Sequence, residues 1–166
     1  MNKKDEVYQI ISFTTPPSQM LEWKHLLQYY LGFFKNVFEK RGYEVKINFP
    51  VKSGFSNDFL DLVAWKLDES VGIEFSEGKG ISNRSIKKFQ ILNLKNWVFI
   101  VKSGSFEENS TSFLNNVIPE LNKKQKVYFK SLDYLVVLSH EDIMTKIKEL
   151  VLRNNVKSNK ITDFMW

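Results

Sequence analysis

Apolar residues along this chain follow a helical rhythm in some segments and a strand rhythm in others. Across residues 18–41, Met20, Trp23, Leu27, Tyr30, Leu31, Phe34, Val37 and Phe38 recur at three and four residues. That spacing predicts one long amphipathic helix with an aromatic inner face, and Gly42 is placed to close it. Three strands follow, over 43–51, 59–65 and 71–76. The first alternates, with Val45, Ile47 and Phe49 on one face. The segment 52–58 between the first two has the composition of a turn or mobile loop, and residues 66–70 that of a polar hairpin loop. After the break at Gly78-Lys79-Gly80, Ser82-Asn83 can cap a helix that runs to about Lys95 with Ile86 and Phe89 facing inward.

Farther on, 97–101 reads as a buried strand. A helix around 112–121 presents Phe113, Leu114, Val117 and Leu121, with Pro119 shortening or kinking it. Residues 127–129 are ambiguous, 134–138 read as a strand and 141–153 as a helix headed by His140. At the other end, 7–13 reads as an N-terminal strand or extended arm, ended by Thr14-Thr15-Pro16-Pro17-Ser18. The order α-β-β-β-α-β-α-β-α predicts an α/β fold in which helices flank a central mixed β-sheet. Residues 1–166 form a single domain on this reading, with its core at 18–153, an arm at 1–17 and a tail at 154–166.

Composition narrows the class. A chain of 166 residues, 43% hydrophobic and 26% charged, is long enough for a real core and too apolar for disorder. With 14 Phe that core is bulky, and the absence of cysteine removes disulfides, zinc–thiolate sites and thiol nucleophiles together. No apolar stretch follows the opening Met-Asn-Lys-Lys, and none is long enough to span a membrane, so a cytoplasmic protein without a membrane partner is expected. A formal charge of +5 suits a polyanionic partner without requiring one. Lysines cluster at Lys87-Lys88 and at Lys123-Lys124-Gln125-Lys126, although each cluster taken singly reads as solvated surface.

Two carboxylates stand out because they interrupt apolar strands. Asp61 lies within Phe59-Leu60-Asp61-Leu62-Val63-Ala64, and Glu74 within Val71-Gly72-Ile73-Glu74-Phe75. A carboxylate in a buried strand is costly unless a cation or a donor compensates it, so the pair is a candidate metal site. Alternation puts Asp61, Val63 and Trp65 on one face of their strand, opposite Leu60, Leu62 and Ala64. If position 66 pairs with 71, Asp61 lies across from Ser76; if 65 pairs with 70, it faces Glu74 directly. Either register keeps Asp61, Glu74 and Ser76 on one face within cross-strand reach. Acidic residues that meet at a solvated sheet rim give the same pattern, and Asp58, just before the strand, is a rival for the first carboxylate.

The helix, Arg41-Gly42-Tyr43-Glu44-Val45, the Ser-Gly loop, Leu60-Asp61-Leu62-Val63-Ala64 and Gly72-Ile73-Glu74 together resemble the PD-(D/E)XK nuclease superfamily over residues 20–102. The likeness is to its restriction-endonuclease-like and archaeal resolvase-like members. It implies a restriction-endonuclease-like core, DNA as partner, and phosphodiester hydrolysis with Mg²⁺ or Mn²⁺ held by Asp61, Glu74 and the carbonyl of Phe75. A homodimer would suit cutting of both strands. The pattern departs from the family at Ser76, where a lysine is expected two residues after the glutamate. It also lacks a helix carboxylate near Tyr30-Leu31-Gly32, since Glu22 and Glu39 are displaced. Lys79, Lys87 and Lys88 are candidates to replace the lysine, with Lys79 and Lys88 carried as catalytic residues beside Asp61 and Glu74. Lys79, Arg84, Lys87 and Lys88 are the candidate nucleic-acid contacts. A protein that keeps this fold but only binds nucleic acid or assembles with a partner is the second expectation.

Other chemistry is sparse. His25 and His140 have no partner at metal-ligand spacing, Gly78-Lys79-Gly80-Ile81-Ser82 lacks the spacing of a phosphate loop, and no serine sits in a triad context.

Overall fold

The computed structural model describes residues 5–12, 21–54, 56–77, 80–134 and 136–158. Helices α1 (Glu6–Ser12) and α2 (Trp23–Lys40) precede strands β1 (Glu44–Ser53), β2 (Ser56–Lys66) and β3 (Glu69–Ser76). Then come α3 (Asn83–Ile91), β4 (Asn96–Val101), α4 (Phe106–Ser112), β5 (Lys126–Ser131), β6 (Val136–Leu138) and α5 (His140–Ser158). The six strands form one mixed sheet in the order of the chain. The β3–β4 and β4–β5 pairs are parallel and the other three antiparallel. Helices cover both faces, which is the α/β architecture the sequence predicts. One core lies under α3, α4 and α5, built on Phe89, Trp97, Phe99, Phe113, Phe129 and Ile143. The other lies under α1 and α2, with Ile10, Phe34, Phe38, Ile73 and Tyr128.

Local chemistry explains most boundaries. Gly42 has φ +89° and directly follows the cap of α2. The Tyr43 amide donates to the Phe38 carbonyl (3.1 Å) and the Gly42 amide to that of Glu39 (3.0 Å), the paired bonds that satisfy a helix end. Asn93 does the same for α3 at φ +52°, where the Leu94 amide donates to Phe89 (3.2 Å) and the Asn93 amide to Gln90 (2.9 Å). That is why α3 stops at Ile91 instead of reaching Lys95.

Several expectations are corrected. Residues 6–12 form a helix, not a strand or arm: the Asp5 carboxylate accepts the Tyr8 amide at 2.8 Å, and Val7, Ile10 and Ile11 are buried at helical spacing. Phe13 and the segment 14–18 lie outside the described residues. The loop expected over 52–58 is strand, paired through Ser53↔Ser56, so Asp58 is a strand residue opposite Val51. The hairpin loop between β2 and β3 is only Leu67-Asp68, because Lys66 already pairs with Glu69. The helix predicted at 112–121 begins at Phe106, under a Ser105 cap that accepts the Glu108 amide. It widens to a π turn over Phe113–Val117 and ends as a 3-10 turn at Pro119. The ambiguous 127–129 belongs to β5, an interior strand between β4 and β6, whereas Tyr134 lies in an exposed turn and leaves β6 with three residues. The last helix takes in residues 154–158 of the expected tail.

A further correction matters for the site. Val45 and Ile47 pack with the α1/α2 core but Phe49 and Val51 with the opposite one. Leu62 and Ala64 likewise separate from Leu60. Strict alternation would keep each set on one face. The change occurs at Asn48, whose φ is +54°, and at Asp61 across from it. The β1–β2 hairpin therefore crosses from one layer to the other at the candidate carboxylate.

Lys130 on β5 is only 3% exposed, and its ammonium donates to the Ile11 carbonyl (3.1 Å) near the end of α1, where a cation suits the helix dipole. Burial pushes its pKa from 10.5 down to about 8. Between those values the unfolded chain binds more protons than the folded one, so stability should rise with pH across that window. Urea unfolding of wild type and Lys130→Met should show the wild type gaining about 2–3 kcal/mol on the variant from pH 7.5 to 10.5. A difference that does not change with pH would contradict this account.

Candidate metal and nucleic-acid site

The strand register decides whether Asp61 and Glu74 meet. Trp65 pairs with Ser70 and Leu62 with Ile73, the second of the two registers considered, which sets Asp61 across from Glu74. Regular pairing stops at Leu62, and the Asp61 side chain takes over: its Oδ2 accepts the Phe75 amide at 2.8 Å. The crossing of the hairpin between layers thus turns a carboxylate into part of the β2–β3 seam. Phe75 itself points to the other layer, against Phe34 with ring centroids 6.4 Å apart, which leaves its backbone beside the carboxylates.

Glu74 is buried, and α3 delivers its counter-ion. Lys88 Nζ lies 2.6 Å from Glu74 Oε2, with side chains 14% and 9% exposed. Burial pushes the Glu74 carboxyl well above the ordinary range, its hydrogen bond and charge interaction with Asp61 add to the rise, and Lys88 opposes it. Even with the Lys88 ammonium beside it, the buried Glu74 carboxyl still favours its proton, so this position has room for more positive charge. Mg²⁺ takes oxygen ligands and commonly one or two carboxylates plus waters; Asp61, Glu74 and the Phe75 backbone offer that donor set. Among the described residues no group of three or more His, Cys, Asp or Glu is placed to hold an ion.

Asp58, the rival first carboxylate, is taken by Arg84. That ion pair, formed by two guanidinium nitrogens, holds the Asp58 carboxyl below its usual range, with Lys88 adding a smaller pull. Arg84 and Lys88 stand one turn apart on α3 and so face the carboxylates together, although the Arg84 side chain remains 71% exposed. Lys87 is on the surface and lines a separate depression with Asn83, Gln90 and Glu120. Lys79 lies outside the described residues. Of the candidate lysines described, Lys88 is the one at Glu74.

Ser76 points from β3 into a cleft of about 330 Å³ next to Glu74. Ser82 and Ser85 of the α3 start and Ser112 of α4 also line it, and sequence reasoning did not single out these three for a site. Their signal was the capping pattern: Ser82 accepts the Ser85 amide, and Ser105-x-x-Glu108 starts the helix that carries Ser112. His140 serves the fold, its Nδ1 accepting the Val127 amide at 3.2 Å, and His25 is exposed on α2.

No family model matches the chain, and no curated protein does. Among solved structures it is similar to a crystal structure described as a protein of unknown function, AF1548, at 16% identity and a TM-score of 0.45. The match covers 65% of this chain and 59% of that one. Among the described residues no helix is long and apolar enough to cross a membrane.

Proposed function

We propose that this protein is a DNA endonuclease of the restriction-endonuclease-like class, hydrolysing phosphodiester bonds with Mg²⁺ or Mn²⁺. The observation that carries the reading is the cross-strand Asp61–Glu74 pair with the Lys88 ammonium 2.6 Å from Glu74. Asp61, Glu74 and the Phe75 carbonyl would hold the ion, which would neutralise charge on the scissile phosphate and acidify a bound water. Lys88 supplies from α3 the charge that Ser76 lacks, placed to orient the attacking water and to stabilise negative charge as it develops. Arg84 and Lys87 on the same helix offer positive charge to the DNA backbone, a salt-sensitive contribution. Paired copies would allow both strands to be cut.

Plasmid, single-stranded and branched DNA incubated with Mg²⁺, Mn²⁺ or EDTA should be cut only with metal. Asp61→Ala and Glu74→Ala should each reduce the rate by about a hundredfold or more while circular dichroism stays native. Cutting retained by both folded variants would remove the assignment. A second reading, a DNA-binding or assembly module without cleavage, draws on Ser76 and on Lys88 occupying a Glu74 oxygen. It requires DNA binding that survives Asp61→Ala with no cutting under any divalent ion.

A further inference from the structure

We propose that the cleft beside Glu74 takes one unpaired nucleotide of a DNA strand, so that the protein acts where a base has already left the stack, as at a bulge, flap, gap or free end. This rests on the reading of Asp61, Glu74 and Lys88 as a cleavage site.

The cleft opens where β3 and β4 end, the side on which parallel strands of open α/β sheets present ligand sites. Glu74 and Ser76 of β3 and Phe99 of β4 line it from the sheet; Ile81, Ser82 and Ser85 line it from the start of α3, and Ser112 from α4. Its existence depends on where the ammonium comes from. Glu74 and Ser76 share a face of β3, so a long side chain at position 76 would extend into this space. Because Lys88 reaches Glu74 from α3, position 76 can be small and about 330 Å³ stays open.

Two hydrogen bonds brace the side of the cleft formed by Gly80 and Ile81. The Gly80 amide donates to Oδ1 of the buried Asn109 at 2.6 Å, and the Ile81 amide to Ser112 Oγ at 3.4 Å. Both bonds tie the segment before α3 to α4, giving a preformed concavity.

The lining selects the ligand. Serine hydroxyls both donate and accept, and four of them surround the cleft with Ile81 and Phe99 as apolar surface. The described lining residues offer hydroxyls and apolar surface, which suits a group with mixed donors and acceptors and a flat apolar face. A nucleobase on its sugar has that chemistry. The volume is on the scale of one nucleotide, and because Glu74 lines the cleft a nucleotide seated there would set its phosphate beside the carboxylate pair, where Lys88 and an ion would offset the like charges. Extruding a base from an intact duplex costs free energy that an unpaired base does not, and that difference becomes selectivity.

The test is binding of a duplex with one bulged 2-aminopurine beside the fully paired duplex, at low salt in Ca²⁺, for wild type, Ser85→Leu and Ser112→Leu. Wild type should prefer the bulge by about tenfold or more, with a change in 2-aminopurine fluorescence on binding. Each leucine, checked for folding by circular dichroism, should narrow the gap between the two duplexes and reduce the fluorescence change. Equal affinity of wild type for both duplexes overturns the inference, as does an undiminished preference in both folded variants. The same duplexes are then incubated with Mg²⁺ in place of Ca²⁺ to read cleavage: DNA that is bound and cut without preference defeats the cleft alone, and DNA that is neither bound nor cut defeats the nuclease reading as well.

Discussion

Lys88→Met should slow metal-dependent cleavage by about a hundredfold or more and move the acid limb of the rate profile to higher pH. Methionine keeps the length and apolar stem of the side chain and removes the charge, so the packing of that stem changes little. The Glu74 carboxyl already sits high because of burial and Asp61, and Lys88 is the group that opposes the rise. Without the ammonium that carboxyl rises further and needs a higher pH to ionise. On the proposed mechanism the ion would be held by the carboxylate form, so its affinity should fall over the same range. Rates measured from pH 6 to 9 for wild type and variant separate two roles. A charge that only steadied the fold would leave the limb in place, and an unchanged rate with an unchanged limb would sink the assignment of Lys88.

Gly72→Ala should lower stability by about 1–3 kcal/mol, the usual cost of overpacking, and lower cleavage beyond what the unfolded fraction explains. A Cβ at Gly72 would lie 2.7 Å from a Leu60 methyl and 2.8 Å from the Phe89 ring, and closer still to Leu94. Gly72 and Glu74 share a face of β3, and Phe89 follows Lys88 on α3. The bare backbone at Gly72 is therefore what lets α3 settle low enough for Lys88 to reach Glu74. Leu94→Ala in the Gly72→Ala background opens room on one side and should recover part of the loss; purely additive effects of the two changes would argue against the shared contact. A urea midpoint equal to wild type would show that α3 is not held at this distance by Gly72.

Much of this arrangement could be read from residue order, and the parts that could not share a cause. The α2 periodicity, the caps at Gly42 and Ser82, and the carboxylates within apolar runs are local signals, and each marks a real element or residue of the structure. Which lysine meets Glu74 was not local: Lys87 and Lys88 both flank the buried Ile86–Phe89 stripe, and only the seating of α3 on the sheet separates them. Alternation failed at Asn48 and Asp61 because a single left-handed residue exchanged the faces of two strands, and asparagine in a strand does not announce that. Helix α1 carried helical spacing in Val7, Ile10 and Ile11, but seven residues are too few to tell a helix from a strand by period. Strand β5 was obscured by Lys130, a charge at a fully interior position.

The bond from the Phe75 amide to Asp61 has a consequence for how the site can be watched. That amide is secured by a side chain, at the one place where β2 and β3 stop pairing through their backbones. An ion that draws Asp61 Oδ2 into its own shell competes for the same lone pairs and releases the amide. Deuterium exchange at Phe75 should therefore quicken when Mg²⁺ is added and slow again with chelator, while the neighbouring amides of β3 hold their rates. The peptide hydrogen at this position would then serve as a resident gauge of ion occupancy, readable with no nucleic acid in the tube.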